Sequence, residues 1–539
     1  MLHITNETVS QSSKEIAKGS FWTLGGNAFY KIVSFLYVII IARMATEAEV
    51  GLFYLAFGIL QVIGIVAHVG IPSSLQRFVP FYESRGELGK IRHLFMLSFA
   101  VVILSTVLFT ILIWVSADFI AGLYGSPMLA DALKVFSFYV LLFGVSKIQV
   151  NYLQGRADMK AMQFVLNIQN LLKLALTFFF FFALGPSAMN MIIGFLGALL
   201  IADLVGAILL WNRTRDLPAG EGLSNRELFR DVVPLGLTLS VVSSIAVFIA
   251  ASDKILLGYL LPDSLDLVGI YSVATSFALM LLIFPMSFGQ IFMPIISRLV
   301  GKDNLDEIRD TTATSMRWAM MITIPVAVVL ISFSGKTLSS IYGESYAAGG
   351  TVLSIFLLGV MVRGFSLLLS KVIAAMRKIM VELKVNAAMG ALNVILTVLL
   401  IPPLGMEGAA LASLISFLFA FFLLRHYAKK LFDFEVPKQA YLLLVSGLIT
   451  LAVFLLIAQY ASPLEILPLG GTEGKIIFLL FLAVAGALSA SMFGLFAIVL
   501  KCFQSEDRAL LQSVFRRFGV PEPLPSLALK LISFGIAEK

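Results

Sequence analysis

One cysteine in 539 residues, Cys502, excludes an intramolecular disulfide, and four histidines leave no Cys/His cluster of the kind that holds zinc. Charge is scarce too: 13% of the chain is charged while 59% is hydrophobic. There is no HExxH pair, no glycine-rich loop ending in Lys-Ser/Thr and no nucleophile elbow. With none of these, no cofactor, metal or catalytic residue is expected, and the chain does not read as an enzyme. Long polar stretches are missing as well, so no soluble domain fits between the apolar runs. What remains is too apolar for water and reads as an all-α polytopic membrane protein.

Apolar runs of about 20 residues can be laid down fourteen times, beginning near residues 20, 48, 94, 132, 161, 188, 235, 267, 314, 348, 384, 404, 440 and 475. The first follows a polar leader and is long enough to span, which makes it an uncleaved anchor. With the N-terminus inside, 28 of the 39 Lys and Arg fall in the tails and even-numbered loops; only Arg43, Lys134, Lys336 and Lys475 lie opposite. That split predicts both termini on the cytoplasmic side of a cell (inner) membrane. The net charge of +7 then reflects topology and contact with anionic membrane lipids, and nucleic acid is not an expected partner.

The runs repeat. EVGLFYLAFGILQV from Glu49 returns as LVGIYSVATSFALM from Leu267, and GELGKIR (Gly86–Arg92) as DNLDEIR (Asp303–Arg309). Leu123-Tyr124-Gly125 returns as Ile341-Tyr342-Gly343, and Leu184-Gly185 as Leu404-Gly405. Spans 1–6 therefore form one repeat and spans 7–12 a second, parallel one, related by a pseudo-two-fold axis along the membrane normal, with two extra spans at the C-terminus. The boundaries are 1–211 for the N-lobe, 212–230 for a cytoplasmic linker, 231–430 for the C-lobe, 431–502 for spans 13 and 14, and 503–539 for the tail. That tail carries Leu510, Leu511, Val514, Phe515 and Phe518 on one side and Arg508, Arg516 and Arg517 on the other, an amphipathic pattern suited to the inner leaflet. Pro234, Pro285 and Pro325 mark kinks in or near spans. Duplicated blocks of spans suit a transporter, whose two lobes alternate access by rocking.

IARMATEAEVGLFYLA (Ile41–Ala56) and LQRFVPFYESRGELGKIR (Leu75–Arg92) resemble the N-terminal part of the polysaccharide-transporter flippases. These are the O-antigen and oligosaccharide-lipid translocases of the multidrug/oligosaccharidyl-lipid/polysaccharide exporter superfamily. SDKILLGYL (Ser252–Leu260) with VGIYSVA (Val268–Ala274) is similar to the opening of the second lobe in that family. The resemblance covers about residues 15–430. It implies an alternating-access transporter that flips an undecaprenyl- or dolichyl-linked oligosaccharide from the inner to the outer leaflet, for cell-surface polysaccharide or glycoprotein biosynthesis. A glycan polymerase or glycosyltransferase is the partner such a role implies.

A charge at the bilayer centre is costly, so each one there needs a reason. Lys31, Lys173 and Arg363 fall near mid-depth, Lys147 nearer the cytoplasm, and Asp203, Asp253 and Lys254 also lie in apolar runs, five cations against two anions. Asn27, Lys31 and Ser34 share a helix face, as do Lys147, Asn151 and Gln154, and Arg363, Ser366 and Ser370. Span 5 adds Gln163, Asn167, Asn170 and Thr177, and its repeat mate, span 11, adds Asn386, Asn393 and Thr397. These stripes are expected to line a hydrated cavity, cations holding a phosphate and amides bonding sugar hydroxyls. Lys371 and Lys384 are read as snorkelling, and Lys147 either snorkels or lines the cavity. Lys173 either lines it too or pairs with Asp203, and the latter is the candidate coupling residue. Of the neighbours Asp253 and Lys254 one faces the cavity, and the resemblance favours Asp253. His68 is read as a hydrogen-bonded histidine at a helix end.

Without a nucleotide site, energy comes from an H+ or Na+ gradient, the membrane potential or the sugar-lipid gradient itself. Two readings compete with flipping. A multidrug or organic-cation antiporter of the same superfamily calls for an acidic cavity. A membrane glycosyltransferase or polymerase calls for more outward-facing chain than the short loop holding Glu47 and Glu49.

Overall fold

The computed structural model describes residues 6–68, 70–215, 217–218, 223–227, 230, 232–261, 264–460, 472–504, 507–508, 512 and 524–536. Helices account for nearly all of it; among the described residues the sole β element is an isolated bridge between Phe503 and Ile536. The first eight helices are α1 (Asn6–Met44), α2 (Glu47–Ala67), α3 (Ile71–Glu83), α4 (Leu88–Leu123), α5 (Pro127–Phe136), α6 (Phe138–Gly155), α7 (Met159–Leu184) and α8 (Ala188–Thr214). A short α9 (Asn225–Glu227) lies in the linker, followed by α10 (Val233–Leu260), α11 (Leu265–Ala278), α12 (Ile283–Gly301), α13 (Leu305–Ser332) and α14 (Ser334–Tyr342). Then come α15 (Gly350–Ala375), α16 (Ile379–Phe432), α17 (Lys438–Tyr460), α18 (Thr472–Val499) and, in the tail, α19 (Leu524–Phe534).

Short polar side chains start several of them. Thr46 accepts the Glu49 N–H at the head of α2, Asp158 that of Ala161 in α7, Ser187 that of Asn190 in α8 and Asn304 that of Glu307 in α13. Each satisfies one of the four amides that a helix N-terminus leaves open. Twelve helices among the described residues are long and apolar enough to cross a bilayer. One of these, α16, runs for 54 residues with a non-helical Gly405 beside Pro402 and Pro403. At 1.5 Å per residue that is roughly 80 Å, far more than the ~30 Å of one hydrocarbon core. Fourteen crossings are therefore compatible with the observed helices, since α16 is long enough for two and the 28-residue α10 is not among the twelve.

The duplication is written into the backbone. Residues with positive φ recur in matched order: Gly86 with Asp303, Gly125 with Gly343, Ala157 with Arg377 and Gly185 with Gly405. Their separations of 217 to 220 residues are those of the sequence matches. Ala157 and Arg377 share no chemistry, yet both bend left-handed (φ 54° and 60°) between two long helices, so the loop geometry outlasted the residue type. The repeats also meet about a local two-fold. A Cβ on Gly51 would run into the Leu265 carbonyl and come within 2.9 Å of the Gly269 nitrogen. A Cβ on Gly269 would run into the Glu47 carbonyl and come within 3.0 Å of the Gly51 nitrogen. Gly51 and Gly269 are repeat mates, as are Glu47 and Leu265, so exchanging the copies maps this contact onto itself.

The chain divides into two compact units, one of residues 1–273 with 401–406, the other of 274–400 with 407–539. In the first, α4 buries the ridge Ile91, Leu94, Ser98, Val102, Thr106, Thr110, Ile113, Ala117 and Ala121, spaced three or four apart. Its other faces expose Leu104, Val115 and Phe119, which suits lipid. In α7, Phe178, Phe179 and Phe182 are exposed too, as expected of lipid-facing bulk, while Phe181 turns inward. The linker is fastened to the head of α4: Lys90 Nζ lies 2.7 Å from Glu227, Arg92 donates to the Leu217 carbonyl, and the Leu223 N–H donates to His93 Nδ1. In the second unit, α13 forms the hub, packing against α12, α15, α17 and α18. Pro285 lies just after a 3₁₀ turn at Leu279–Leu282, whereas Pro325 is carried inside a continuous α13. The expected amphipathic stretch at 510–518 falls, except for Gln512, outside the described residues.

Candidate functional site

Within the first unit the amide stripe of α7 meets α1 face to face. Gln163 Nε2 donates to Asn27 Oδ1 at 3.2 Å, and Asn167 donates to the Gln163 carbonyl at 2.7 Å. Asn170, 3% exposed, donates to the Tyr30 carbonyl and to Ser34 Oγ at 2.8 and 2.9 Å. Gly26 leaves the gap that the Gln163 side chain fills. Asn170 thus joins two helices and is not a free lining group, while Asn167 keeps an unpartnered Oδ1. One turn along from Asn27, Lys31 is part-buried, with no ion-pair partner among the described residues. Lys173 lies on the same seam, its Nζ 4.2 Å from the centre of the Tyr37 ring and 5.7 Å from that of Phe195.

The two carboxylates that the sequence placed in apolar runs of this unit both accept from hydroxyls. Asp203 of α8 accepts from Ser146 Oγ of α6, and Asp253 of α10 accepts from Tyr271 Oη at 2.8 Å. The pairing of Lys173 with Asp203 that the sequence left open is therefore not made: one side chain lies on Tyr37, the other on Ser146. Lys254 lies 4.9 Å over Tyr54, and Lys147 4.9 Å over Phe143. Asn151 and Gln154, on the Lys147 face, both accept from Gln76 of α3. His68 closes α2 as expected, with its ring on Phe143, but its Nε2 has no partner among the described residues. Four lysines (31, 147, 173 and 254) thus sit in apolar helices with aromatic rings or nothing beside them, and none has a carboxylate within ion-pair distance among the described residues.

The second unit repeats the theme with fewer groups. Arg363 of α15 places its guanidinium 5.1 Å over Phe417, again with no carboxylate partner among the described residues. Ser366 bonds back to its own helix, and Ser370 donates to Glu382 at 2.8 Å. Asn393, 1% exposed, donates to Ser413, which ties together the two limbs of α16 on either side of Gly405; Asn386, two turns away, is part-buried. A cation on an aromatic face keeps some stabilisation while its N–H donors stay available to an incoming anion.

The sequence reading missed one pair in this unit. Arg317 of α13 and Asp507 of the tail are both 0% exposed and lie 3.2 Å apart. Trp318 Nε1 and the Gln504 N–H also donate to Asp507, while Arg317 Nε and Nη1 have no partner. The pair is 190 residues apart in sequence, and Arg317 sits near one end of an apolar run, where a snorkelling cation is unremarkable. No local signal marks it.

Residues 16–300 match the family described as Polysaccharide biosynthesis protein, and residues 237–399 match a second family, MatE. Among curated proteins, the chain is 22% identical over 418 residues to a probable low-salt glycan biosynthesis flippase, Agl15, of Haloferax volcanii, covering 77% of this chain and 83% of that protein. Among solved structures, the lipid II flippase MurJ in an inward closed conformation superposes with a TM-score of 0.67 at 16% identity, over 88% of this chain and 97% of that one. An inward-facing multidrug resistance MATE family transporter gives 0.65 at 15%, over 74% and 94%. At such identities the structural likeness establishes the fold.

Proposed function

We propose that this chain, which belongs to the polysaccharide biosynthesis protein family, is a flippase moving a polyprenyl-phosphate-linked oligosaccharide from the inner to the outer leaflet by alternating access. The observation that carries this reading is the excess of cations in apolar helices that have no ion pair among the described residues: Lys31, Lys147, Lys173 and Lys254 in one unit and Arg363 in the other. A buried cation without a counter-ion is unfavourable in the resting protein, and an anionic ligand removes the penalty. The lipid phosphate supplies that anion, with Lys31 its proposed holder in the first unit and Arg363 its proposed holder in the second.

Asn27, Asn167 and Asn386 bond the sugar hydroxyls, with Asn170 and Asn393 setting the helix positions behind them. Asp253 tunes the local charge from its bond to Tyr271, and Asp203 couples transport to a cation. An organic-cation antiporter fits poorly, because its cargo would be repelled by the same lysines. The similar Agl15 is named a glycan biosynthesis flippase, which points the same way.

The protein sits in the cell membrane with both termini cytoplasmic, divided functionally at residues 212–230, and works beside a glycan polymerase or glycosyltransferase. The test is reconstitution of the purified full-length chain in vesicles with a fluorescent polyprenyl-pyrophosphate oligosaccharide. Protein-dependent exposure of the label on the opposite leaflet supports the reading; equal rates in empty vesicles overturn it.

A further inference from the structure

Between α6 and α8 lies a polar knot that the phosphate-holding groups do not touch. Ser146 and Gln149, three apart on α6, face Asp203 and Gly206, three apart on α8. Ser146 Oγ donates to Asp203 Oδ1, and Gln149 Nε2 donates to the main-chain carbonyl of Asp203 at 2.8 Å. Gly206 is bare because the Gln149 amide lies flat against it; a Cβ there would collide with that amide. Asp203 is 5% exposed and Gln149 3%. Two acceptors are left over, Asp203 Oδ2 and Gln149 Oε1, both fully covered and without a donor among the described residues. Turning the amide over does not help, since it would set oxygen against the Asp203 carbonyl.

A single hydrogen placed on Asp203 converts one surplus acceptor into a donor, and the other surplus acceptor belongs to the side chain already bonded to the same residue. We propose that Asp203 is a proton-binding site: the carboxyl group takes one proton from water, directs it from Oδ2 to Gln149 Oε1, and returns it to water when the site is re-exposed. An ionised carboxylate would be buried with one neutral hydroxyl and no cation. The helices packed on α8 are α2, α5, α6 and α7, and among the described residues none of their charged side chains forms an ion pair with Asp203. Glu49 of α2 takes the Ala188 N–H, Lys134 of α5 pairs with Asp118, and Asp158 at the head of α7 pairs with Arg213. Lys147 lies on Phe143, Lys173 on Tyr37, and His68 on Phe143. A sodium ion is the poorer occupant, because the knot offers it only two free oxygens where a cation of that kind takes about six. The site's occupancy stands by itself; its use in coupling rests on the transporter reading above.

Infrared difference spectroscopy of the full-length protein in lipid discs, with hydrogen–deuterium exchange, reads the proton directly. A neutral-carboxyl C=O band is expected near neutral pH in the wild type. It should be lost in Asp203→Asn and shifted in Gln149→Leu, which removes the acceptor. Asp203→Asn should keep the wild-type melting temperature, because an amide N–H replaces the acid O–H toward Gln149. A wild type showing only a carboxylate signal, as a water-bridged ion would give, overturns the proposal. So does a melting temperature that rises with sodium in the wild type but not in Asp203→Asn. If the band is present but vesicles flip no oligosaccharide, the substrate reading fails and the proton site stands. If oligosaccharide flips and the band is absent, the proton site fails and the substrate reading stands.

Discussion

Lys31 and Arg363 show how far one residue can be argued. Each is a cation in an apolar helix with no counter-ion among the described residues, and Arg363 has only the Phe417 ring beneath it. Removing such a charge lowers the cost of membrane insertion, so Lys31→Ala and Arg363→Ala are expected to reach the membrane at normal levels yet lose flipping by at least tenfold. Arg363→Lys should retain part of the rate, since charge survives while the planar fork is lost. Wild-type flipping by both alanine variants in the vesicle assay would remove the phosphate-holding role.

Arg317 makes the opposite case, because its charge is paired. With Asp507 gone, a guanidinium at 0% exposure faces no anion, and Asp507→Asn is expected to destabilise the protein by on the order of 3–5 kcal/mol. Replacing both partners, Arg317→Met with Asp507→Leu, should cost less than either single change. Melting curves of the four proteins in detergent give the coupling directly. A tail that melts away independently of α13 would show no coupling.

At the scale of elements, α2 and α11 approach each other symmetrically at Gly51 and Gly269. A methyl group on either glycine meets main-chain atoms, which do not yield as a flexible side chain would. Gly51→Ala and Gly269→Ala are expected to lower stability by similar amounts, about 1–3 kcal/mol each, with the double variant less than additive because the first change already parts the helices. Unequal effects, one of them near zero, would mean that the crossing is not symmetric.

The fastening of the linker onto α4 is weaker and depends on pH. Glu227 is held down to about 2 from its usual 4.5, chiefly by the hydrogen bond from Lys90 and then by the Ser224 N–H. A carboxyl whose folded value is depressed contributes stability that is complete above about 4.5 and lost as pH falls toward 2. The group is largely solvated, so the contribution is small, below about 1 kcal/mol. The melting temperature of Glu227→Gln should lie slightly below wild type at pH 6 and converge with it as the pH falls through that window.

For the molecule as a whole, the orientation rests on charge. With Cys502 replaced by serine, Ser224→Cys is expected to react only with reagents that reach the cytoplasm, and Ser126→Cys with impermeant reagents added outside. Labelling of Ser224→Cys from outside would invert the topology. Much of this architecture needed no coordinates. Apolar run length bounds the helices because a bilayer core leaves backbone groups no other partners, and the duplication showed in Leu123-Tyr124-Gly125 and Ile341-Tyr342-Gly343 because loop turns restrict the residue types they accept.

The polar stripes on α1, α7, α15 and α16 were legible as well, since helical period places i, i+3, i+4 and i+7 together. What each polar group does was not legible, because it depends on partners far along the chain. Asn170 and Asn393 turned out to fasten helices, Lys173 chose an aromatic ring over Asp203, and Asp507 came from the tail to meet Arg317. Burial in a low-dielectric interior makes those pairings decisive for a charge or an amide, yet only the packing of distant helices determines which partner comes within reach.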